Sequence, residues 1–465
     1  MSLDFDRKIH TALGDARLQQ AIYTSTGRLK DARLSVVAST VLPDYQQLRT
    51  QANELKKHTI DHLDHYLEQF QRSVEGRGGK IVYCQDGSEV ADFVLALAKE
   101  RGAHLIVKSK SMTTEEIDLN ERLEHHGLES VETDFGEYIL QLAHERPYHI
   151  VAPALHKTRY EVADIFEQRL HVSREIVIEK QAAIARAALR EKFLAADIGI
   201  SGANFLVADS GAVVIVENEG NARLSTSAPK IHIAIAGIEK LIPRAADLAT
   251  FLKLLARSAT GQPLSVYTSF LCGPRRTGEI DGPEEFYVVL LDNGRSRLLA
   301  DPERRQSLYC IRCGACLNAC PVYRKIGGHS FPWVYSGPIG AILTPQFMGA
   351  GHEPGLPFAS SLCGACAEVC PVKINIPKLL LELRTEVKKS RLEKLAFRVF
   401  AWLMRHPGAY EMAGRMAASL AVSDNGRWIR SVPALFQVGP IKAWVSERDL
   451  PPPPARSFRE LWRRR

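Results

Sequence analysis

Apolar positions in the first 75 residues recur at mixed spacings of three and four, which is the period of an amphipathic helix. The pattern therefore predicts a helical N-terminal segment, and we expect it to pack against its neighbour in the chain or against a partner subunit. The positions that define it are Ile9, Leu13, Leu18, Ile22, Leu48, Leu55, Ile60, Leu63 and Leu67.

After Gly76 the pattern changes to short apolar runs that alternate with amphipathic stretches. This alternation predicts the strands and helices of a parallel α/β sheet. Ser88 and Thr113 are predicted helix N-caps, the latter with Glu116 three residues behind it, and Gly199 is a predicted C-cap. The predicted strands are 80–84, 104–108, 129–133 and 149–152, and the predicted helices are 88–101, one that begins at 113, 136–143 and 173–197.

Two apolar runs, 204–208 and 212–217, flank the turn sequence Asp209-Ser-Gly211 and predict a β-hairpin. Further strands are predicted over 231–236, 265–270 and 286–291. The central part of the chain is therefore rich in strands, and the cysteine-rich part follows it.

The segment 379–420 is predicted to be helical, with an interruption at His406-Pro407-Gly408. Its apolar side chains could touch a membrane surface, but charged residues such as Arg398 and Arg405 occur too often for a membrane span. We expect burial against protein, with peripheral membrane contact as the alternative. Pro451–Pro454 is a predicted stiff spacer before the terminal segment 458–465.

Composition narrows the class of protein. The chain has 465 residues, of which 45% are hydrophobic and 24% charged, as in an ordinary globular protein of about three domains. The net charge of +7 is mild and dispersed, so the sequence does not favour nucleic-acid binding. The first residues lack the apolar core of a secretion signal, and no run of eighteen apolar residues occurs, so we expect a cytoplasmic protein.

Seven of the nine cysteines fall into two motifs. The first is Cys310-Ile-Arg-Cys313-Gly-Ala-Cys316-Leu-Asn-Ala-Cys320-Pro321, which has the C-x2-C-x2-C-x3-C-P spacing of bacterial two-cluster ferredoxins. Two-residue spacers let thiolates from one loop converge on a compact cluster, and small residues between them let backbone N–H groups approach its sulfur atoms. The spacing predicts iron–sulfur chemistry.

The second motif is shorter: Cys363-Gly-Ala-Cys366-Ala-Glu-Val-Cys370-Pro371. The last cysteine of such a run usually ligates the other cluster. This predicts two iron–sulfur clusters that exchange their last ligands. The first would be bound by Cys310, Cys313, Cys316 and Cys370, and the second by Cys320, Cys363 and Cys366.

These seven cysteines leave one ligand position of the second cluster open, because Ser360 stands where its motif would begin. Three outcomes follow: a [3Fe-4S] cluster, a [4Fe-4S] cluster with an open or oxygen-ligated iron, or a distant cysteine that completes the set. We expect [4Fe-4S] for both clusters, with [3Fe-4S] as the alternative for the second.

Other uses of the cysteines fit less well. A zinc ribbon uses two separated C-x2-C pairs and leaves the third cysteine and the Cys-Pro ending unexplained. Structural disulfides belong to oxidising compartments. His58, His62 and His65 share one face of a predicted helix, but the acidic and basic residues among them favour a solvated polar face over a metal site.

The whole chain resembles the family of L-lactate utilisation iron–sulfur proteins, the B subunit of a bacterial lactate-oxidising system. The resemblance is carried by Lys108-Ser-Lys-Ser-Met112, Glu132-Thr-Asp-Phe-Gly-Glu137, Gly202-Ala-Asn-Phe-Leu-Val-Ala208, Glu217-Asn-Glu-Gly220 and the paired cysteine motifs. It implies an α/β lactate-utilisation domain, of the fold shared with sugar-phosphate isomerases and CoA transferases, followed by an α-helical two-cluster ferredoxin domain. It also implies conversion of L-lactate to pyruvate in the cytoplasm together with two sister subunits.

The expected division of the chain is an N-terminal helical arm over 1–70, the lactate-utilisation domain over 71–298, the ferredoxin domain over 299–385 and a C-terminal helical domain with its tail over 386–465. The resemblance assigns no catalytic residue to this subunit. In the CoA-transferase-like fold a glutamate near a strand end can be a nucleophile, although capping or partner binding is the expected role of such acidic residues. The polar candidates are Lys108, Lys110, Thr133, Asp134, Asn204, Glu217 and Glu219, and the candidate bases are His156 and His232.

Three functions therefore compete. The first is an iron–sulfur electron-transfer subunit of a lactate-oxidising complex, which the paired clusters favour; no G-x-G-x-x-G follows a predicted strand to indicate a nucleotide cofactor. The second is the lactate-oxidising enzyme itself, with substrate on the incompletely ligated second cluster. The third is a non-redox protein that binds CoA or a sugar phosphate and uses its clusters structurally.

Overall fold

The computed structural model describes residues 3–349, 351–387, 391–420, 451 and 456–463 of the chain. The chain divides into two compact units, Met1–Val387 and Lys388–Arg465. The first unit contains both sheets and all nine cysteines.

The N-terminal segment is helical, as its apolar period predicts, but it is broken into four helices. Asp15 caps the second helix with a side-chain oxygen that accepts a hydrogen bond from Leu18 N, and His62 separates the third helix from the fourth. Ile60, Leu63 and Phe70 are buried in the core of the unit. The helices are α1 (Leu3–Gly14), α2 (Ala16–Val37), α3 (Tyr45–Asp61) and α4 (Leu63–Glu75).

The ten strands of the described chain form two sheets. In chain order they are β1 (Lys80–Cys84), β2 (Leu105–Lys108), β3 (Glu129–Glu132), β4 (Ile198–Ser201), β5 (Phe205–Val207), β6 (Ala212–Glu217), β7 (Ile231–Gly237), β8 (Leu241–Ile242), β9 (Tyr267–Leu271) and β10 (Glu285–Leu291). The larger sheet has the order β1-β10-β7-β4-β2-β3, and all its pairs are parallel. Every residue of the central strand β7 is buried, as expected where helices cover both faces of a parallel sheet.

The smaller sheet has the order β8-β5-β6-β9. Its strands β5 and β6 pair antiparallel across the turn at Gly211, which confirms the predicted hairpin. Gly211 has a φ of 66°, a conformation that favours glycine.

Eight helices of the described chain connect these strands, and a ninth, α13, follows the last strand. Asp86, rather than Ser88, caps α5 by accepting from two backbone amides, and Ser111, rather than Thr113, caps α6 by accepting from Thr114 N. The helices are α5 (Gly87–Arg101), α6 (Met112–Glu116), α7 (Leu119–His125), α8 (Phe135–Ala143), α9 (Arg159–Leu170), α10 (Ile178–Ala195), α11 (Asn221–Ser227), α12 (Leu248–Ala259) and α13 (Arg295–Ala300).

Besides these two N-caps, two further sequence predictions for this region are wrong. The helix predicted over 173–197 spans Ile178–Ala195. Its predicted C-cap, Gly199, lies inside β4, where a Cβ would approach the carbonyl oxygen of Ser225 to 1.8 Å. The strand predicted over 149–152 does not form. The ring of His149 accepts hydrogen bonds from the amides of Val151 and Ala152 through Nδ1, at 3.1 and 3.2 Å, and so holds these residues in a turn.

The part of the first unit that carries the cysteine motifs is helical, and its described residues contain no strand. Short 3-10 turns over Arg305–Tyr309 and Leu356–Phe358 precede the two motifs. The helices are α14 (Ala315–Ala319), α15 (Tyr323–Ile326), α16 (Gly337–Met348), α17 (Ala365–Val369) and α18 (Ile376–Glu386). The helical form of the predicted ferredoxin-like region is thereby confirmed.

The second unit contains α19 (Arg391–Arg405), α20 (Pro407–Leu420) and α21 (Phe458–Trp462). The predicted helix break at His406 separates α19 from α20, while Pro452–Pro454 of the predicted spacer lie outside the described residues. Several large apolar side chains of α19, such as Leu395 and Trp402, are exposed. Among the described helices none has the length and apolar character needed to cross a membrane.

Candidate functional site

The two cysteine motifs adopt the same backbone shape. In the first, Arg312 and Gly314 have positive φ values of 59° and 73°; in the second, Leu362 and Gly364 have φ values of 55° and 84°. Each loop leads directly into a five-residue helix, α14 or α17. The second motif is therefore a structural copy of the first, in which Cys363 corresponds to Cys313.

The four thiols predicted for the first cluster line one small, almost wholly apolar cavity. Cys313 and Cys370 are buried, while Cys310 and Cys316 are half-buried. The wall of this thiol cavity includes Ile150, Ile311, Ile339, Val372, Ile374 and Ile376. The structure thus brings Cys370, from the second motif, to the three thiols that begin the first motif.

The three thiols predicted for the second cluster also lie near one another, since the charge of Cys363 acts on both Cys320 and Cys366. Cys320 and Cys366 are buried, whereas Cys363 is exposed. The first set is therefore internal, and the second set reaches the surface.

Burial and neighbouring thiolate charge make these thiols hard to ionise. Burial raises the pKa of Cys370 to about 11 and that of Cys366 to about 12, and it raises the pKa of Cys313 and Cys316 further. A thiolate set of this kind requires a cationic centre to stabilise it. The donor set, its apolar wall and its backbone N–H groups therefore fit iron–sulfur clusters.

Backbone amides support the sulfur atoms of both sets. Arg312 N donates to Cys310 Sγ, Tyr323 N to Cys320 Sγ and Ile374 N to Cys370 Sγ, each at 3.4 Å. Such N–H groups favour the thiolate form and adjust the reduction potential of a bound cluster. Cys84 and Cys272 lie outside both sets: Cys84 ends β1, and Cys272 follows β9.

Five of the polar residues singled out from the sequence converge on a second cavity, of about 260 Å³, in the α/β region. Glu217 already caps α11, because its carboxylate accepts from the amides of Ala222 and Arg223 at 2.9 and 2.8 Å. Capping is the role that the sequence analysis expected for such acidic residues, in preference to that of a nucleophile. The five are Lys110, Asp134, Asn204, Glu217 and Glu219.

The remaining candidates do not line this cavity. Lys108 is fully buried and pairs with Glu115 and Glu132 at 3.1 and 2.6 Å. Thr133 donates to the carbonyl oxygen of Lys108. Lys108 and Thr133 therefore belong to a buried polar cluster and not to the wall of the cavity.

The two candidate bases and the histidine group also have structural partners. His156 pairs with Glu145 at 2.8 Å, and the buried His232 pairs with Ser201 Oγ at 2.8 Å, with burial lowering the pKa of His232 to about 3. The exposed His58 bonds Tyr66, and His62 bonds the His58 carbonyl oxygen. These contacts do not gather the three N-terminal histidines around a common point.

The structure brings to these cavities and thiol sets several cationic residues that the sequence analysis did not single out. Arg312 and Lys240 line the 260 Å³ cavity, and Arg312 lines the thiol cavity as well. Arg33 and Arg49, on α2 and α3, hydrogen-bond the backbone beside Cys370. No local pattern could have found them, because their partners lie more than 300 residues away in the chain.

Comparison with known proteins gives the class first. Residues 67–291 match the LUD domain family, residues 306–374 the 4Fe-4S dicluster domain, and residues 379–465 the C-terminal domain of lactate utilisation protein B. The α/β fold and the two thiol sets thus define a LUD-domain protein with a 4Fe-4S dicluster domain.

Full-length relatives give the family. The chain is 42% identical to lactate utilization protein B of Bacillus velezensis, over 99% of this chain and 97% of that protein. It is 43% identical to the protein of the same name from Bacillus licheniformis, over 98% and 95% of the two chains. The chain belongs to the lactate utilization protein B family.

One solved structure was also found: a DUF162 family protein of Deinococcus radiodurans, 12% identical to this chain. It covers 49% of this chain and 98% of its own, with a TM-score of 0.28. A TM-score this low says little about a shared fold, so the α/β assignment rests on the LUD-domain match and on the parallel sheet itself.

Proposed function

We propose that this protein is the iron–sulfur electron-transfer subunit of a system that oxidises L-lactate to pyruvate. The observation that carries the proposal is the grouping of seven cysteine thiols into an internal set and a surface set. The relatives described above are named for lactate utilisation, and membership of their family supports the same process here.

In this proposal Cys310, Cys313, Cys316 and Cys370 hold one [4Fe-4S] cluster, and Cys320, Cys363 and Cys366 hold the second. An iron–sulfur cluster accepts one electron at a time, so a pair matches the two electrons that leave a 2-hydroxy acid when it becomes a 2-oxo acid. The apolar wall of the thiol cavity would exclude water from the internal set. The exposed Cys363 would give the second set access to a redox partner.

The proposal includes two sister subunits as partners and the cytoplasm as the compartment. Within the chain, residues 71–298 would form the lactate-utilisation domain, and residues 299–385 would form the electron-carrying part. The N-terminal helices of 1–70 would serve as a clamp on the cysteine region, since Arg33 and Arg49 reach it.

The test uses the full chain, purified without oxygen, alone and together with the products of neighbouring genes. L-lactate is added to each subset of subunits, and cluster reduction is followed by the loss of visible absorbance and by EPR. We expect reduction with L-lactate only when partner subunits are present, and no reduction with D-lactate as the matched control. A preparation that contains zinc without iron and labile sulfide would contradict the proposal, as would clusters that no subset reduces with L-lactate.

A further inference from the structure

The cavity of about 260 Å³ lies beyond the carboxyl ends of two neighbouring parallel strands. Its wall contains Ser109–Thr113, which follow β2, and Gly202–Asn204, which follow β4; the two strands are paired in the sheet. In open α/β sheets ligands bind in the crevice outside the carboxyl ends of strands. The position is therefore that of a ligand site.

Two buried cations line the inner wall. Lys240 is 8% exposed, and its ammonium group donates no hydrogen bond to any described residue. The side chain of Arg312 is 6% exposed; its Nη2 is 3.5 Å from Glu239 Oε1, and its Nη1 is buried without a hydrogen-bond partner. A buried donor is almost always satisfied, so the unpartnered Nη1 of Arg312 indicates a missing partner. The buried Lys240 adds a second positive charge, and together the two cations favour an anion.

The nearby carboxylate of Glu239 meets only part of this need, because it accepts from Arg312 Nη2 at 3.5 Å and leaves Arg312 Nη1 without a partner. Glu239 is the acidic group next to both cations, but its Oε2 already accepts from Arg295 Nε at 2.5 Å. The thiolate of Cys310 also acts on Lys240, yet Lys240 lies on the wall of the larger cavity and is not on the wall of the thiol cavity. Its unused donors are thus available to a molecule in the larger cavity.

The rim of the same cavity carries groups that can both donate and accept hydrogen bonds. Lys110 Nζ donates to the carbonyl oxygen of Val151 at 2.7 Å, and Glu219 accepts from Phe135 N at 3.0 Å. Partial desolvation and the charge of Asp134 raise the pKa of Glu219 to about 7. Such groups suit a hydroxyl or carbonyl oxygen on the carbon next to a carboxylate.

We propose that this cavity binds a small 2-hydroxycarboxylate or its 2-oxo counterpart, with the carboxylate held by Lys240 and Arg312. Its volume is below the roughly 300–1,000 Å³ of sites for drug-sized ligands, which favours an anion of few atoms over a coenzyme. The anion site stands on the geometry of the cavity; the choice of a 2-hydroxy acid rests on the proposed function.

The test is a calorimetric titration of the anaerobic, cluster-loaded full chain with L-lactate, pyruvate, acetate and the neutral amide lactamide. We expect L-lactate and pyruvate to bind more tightly than acetate, and lactamide not to bind. Lys240→Gln should weaken L-lactate binding by about tenfold or more, since it removes a charged hydrogen bond. Lys230→Gln, at an exposed lysine, is the matched control and should leave binding unchanged.

A second variant, Ala203→Leu, narrows the cavity without changing its charge and should also weaken binding. Iron content and the visible spectrum verify that each variant is folded and loaded. The inference is overturned if the unmodified protein does not bind L-lactate, if acetate binds as tightly, or if both variants bind like the control. Cluster reduction with partners, together with absent binding here, would leave the electron-transfer proposal intact and remove this one alone.

A different observation concerns the eighth ligand. In the first motif the amide of Arg312 donates to Cys310 Sγ at 3.4 Å; in the second, the amide of Leu362 donates to Ser360 Oγ at 3.1 Å. Both contacts run from a residue of positive φ to the side chain two positions earlier. Ser360 Oγ therefore occupies the position in the second loop that Cys310 Sγ occupies in the first.

From this equivalence we infer that Ser360 Oγ is the fourth protein ligand of the second cluster. Ser360 would bind iron through its deprotonated Oγ, and this half-buried position would let the hydroxyl proton leave to water. Arg384 holds the loop in place, with Nη2 donating to the Ser360 carbonyl oxygen and Nε to that of Pro357, both at 3.0 Å.

Ser360→Ala should lose one iron per chain, and its oxidised form should show the EPR signal of a three-iron cluster. Ser360→Cys should keep the full iron content, with a lower reduction potential because a thiolate replaces oxygen in the set. Ser361→Ala, at the exposed neighbour, is the control and should match the unmodified protein. Unchanged iron content and EPR in Ser360→Ala would overturn the inference, as would a three-iron cluster in the unmodified protein.

Discussion

Arg49 on α3 donates from Nε to the carbonyl oxygen of Cys370 at 2.9 Å, and from Nη2 to that of Ala367 at 3.2 Å. Arg33 on α2 adds a bond of 3.3 Å to the Val369 carbonyl oxygen. The last carbonyls of a helix have no partner within the helix, so these arginines complete the end of α17. The N-terminal helices thereby hold the cysteine that joins the second motif to the first thiol set.

Replacing Arg49 should loosen the first thiol set, which contains Cys370. Arg49→Gln removes charged hydrogen bonds worth about 1.5–3 kcal/mol each, so the loop around Cys370 should open more often. We expect iron to leave for an added chelator about tenfold faster or more. Absorbance of the iron–chelator complex measures the rate. Arg72→Gln, at an exposed arginine of the neighbouring α4, serves as the control, and equal rates for the two variants would count against the clamp.

Arg295 should be among the most sensitive residues for stability. It is fully buried between Glu116 and Glu239, with Nη1 at 2.8 Å from Glu116 Oε1. Arg295→Met leaves both carboxylates without it and should lower the free energy of unfolding by about 3–5 kcal/mol. Urea unfolding followed by circular dichroism measures the loss.

The exposed pair Arg275–Glu284 provides the contrast. Arg275→Met should change the free energy of unfolding by less than about 1 kcal/mol, because solvent screens exposed ion pairs. If the two variants lost similar amounts of unfolding free energy, the charge of Arg295 would not be what stabilises the buried group of Arg295, Glu116 and Glu239.

Glu137 should make stability depend on pH. Both its carboxyl oxygens are buried without a hydrogen-bond partner, and burial followed by the charge of Glu132 raises the pKa of Glu137 well above its ordinary value of 4.5. The unfolded chain therefore releases this proton first as the pH rises. Stability from this group is complete below pH 4.5 and is lost as the pH rises toward the raised pKa.

Glu137→Gln removes this dependence. Relative to the variant, the unmodified protein should lose about 1.4 kcal/mol of unfolding free energy per pH unit within that window. Urea midpoints at a series of pH values measure the slope of unfolding free energy against pH for each protein. A constant effect of the glutamine amide on stability does not change this slope. Glu124→Gln, at an exposed glutamate, should leave the slope unchanged; parallel profiles for unmodified protein and Glu137→Gln would refute the assignment.

The exchange of ligands between motifs has a spectroscopic signature. Cys370→Ala and Cys310→Ala should damage the same cluster, although the two residues belong to different motifs. Cys320→Ala and Cys363→Ala should both damage the other cluster, the one assigned to Cys320, Cys363 and Cys366. EPR of the reduced variants distinguishes the patterns; if Cys370→Ala instead matches Cys363→Ala, each motif binds its own cluster.

Much of the larger sheet was predictable, because the strands β1, β2, β7 and β10 are short, mostly apolar runs, and β3 follows them in the alternation of strands and helices. β4 was not, since Gly199 has the form of a helix C-cap in the sequence, and only the backbone of Ser225 beside it explains the glycine. The turn at His149 depends on a side chain that accepts backbone hydrogen bonds, which an apolar pattern does not reveal.

The thiol sets were predictable because their spacing is local and specific to one chemistry. The cation pair Lys240 and Arg312 was not, because its members come from different regions of the chain and meet only in the fold. The sequence placed Ser360 where the second motif would begin and left an oxygen-ligated iron open; the backbone conformation shared by the two loops adds the correspondence between Ser360 and Cys310.

The strand order has a consequence for how the chain is made. β1 pairs only with β10, which itself sits between β1 and β7. After β1 has been synthesised, it cannot pair with β10 until roughly 200 further residues have left the ribosome. This takes about ten seconds or more at 5–20 residues per second. The seven motif cysteines, from Cys310 to Cys370, all emerge after β10, so the strands of the sheet are synthesised before the residues that would bind iron.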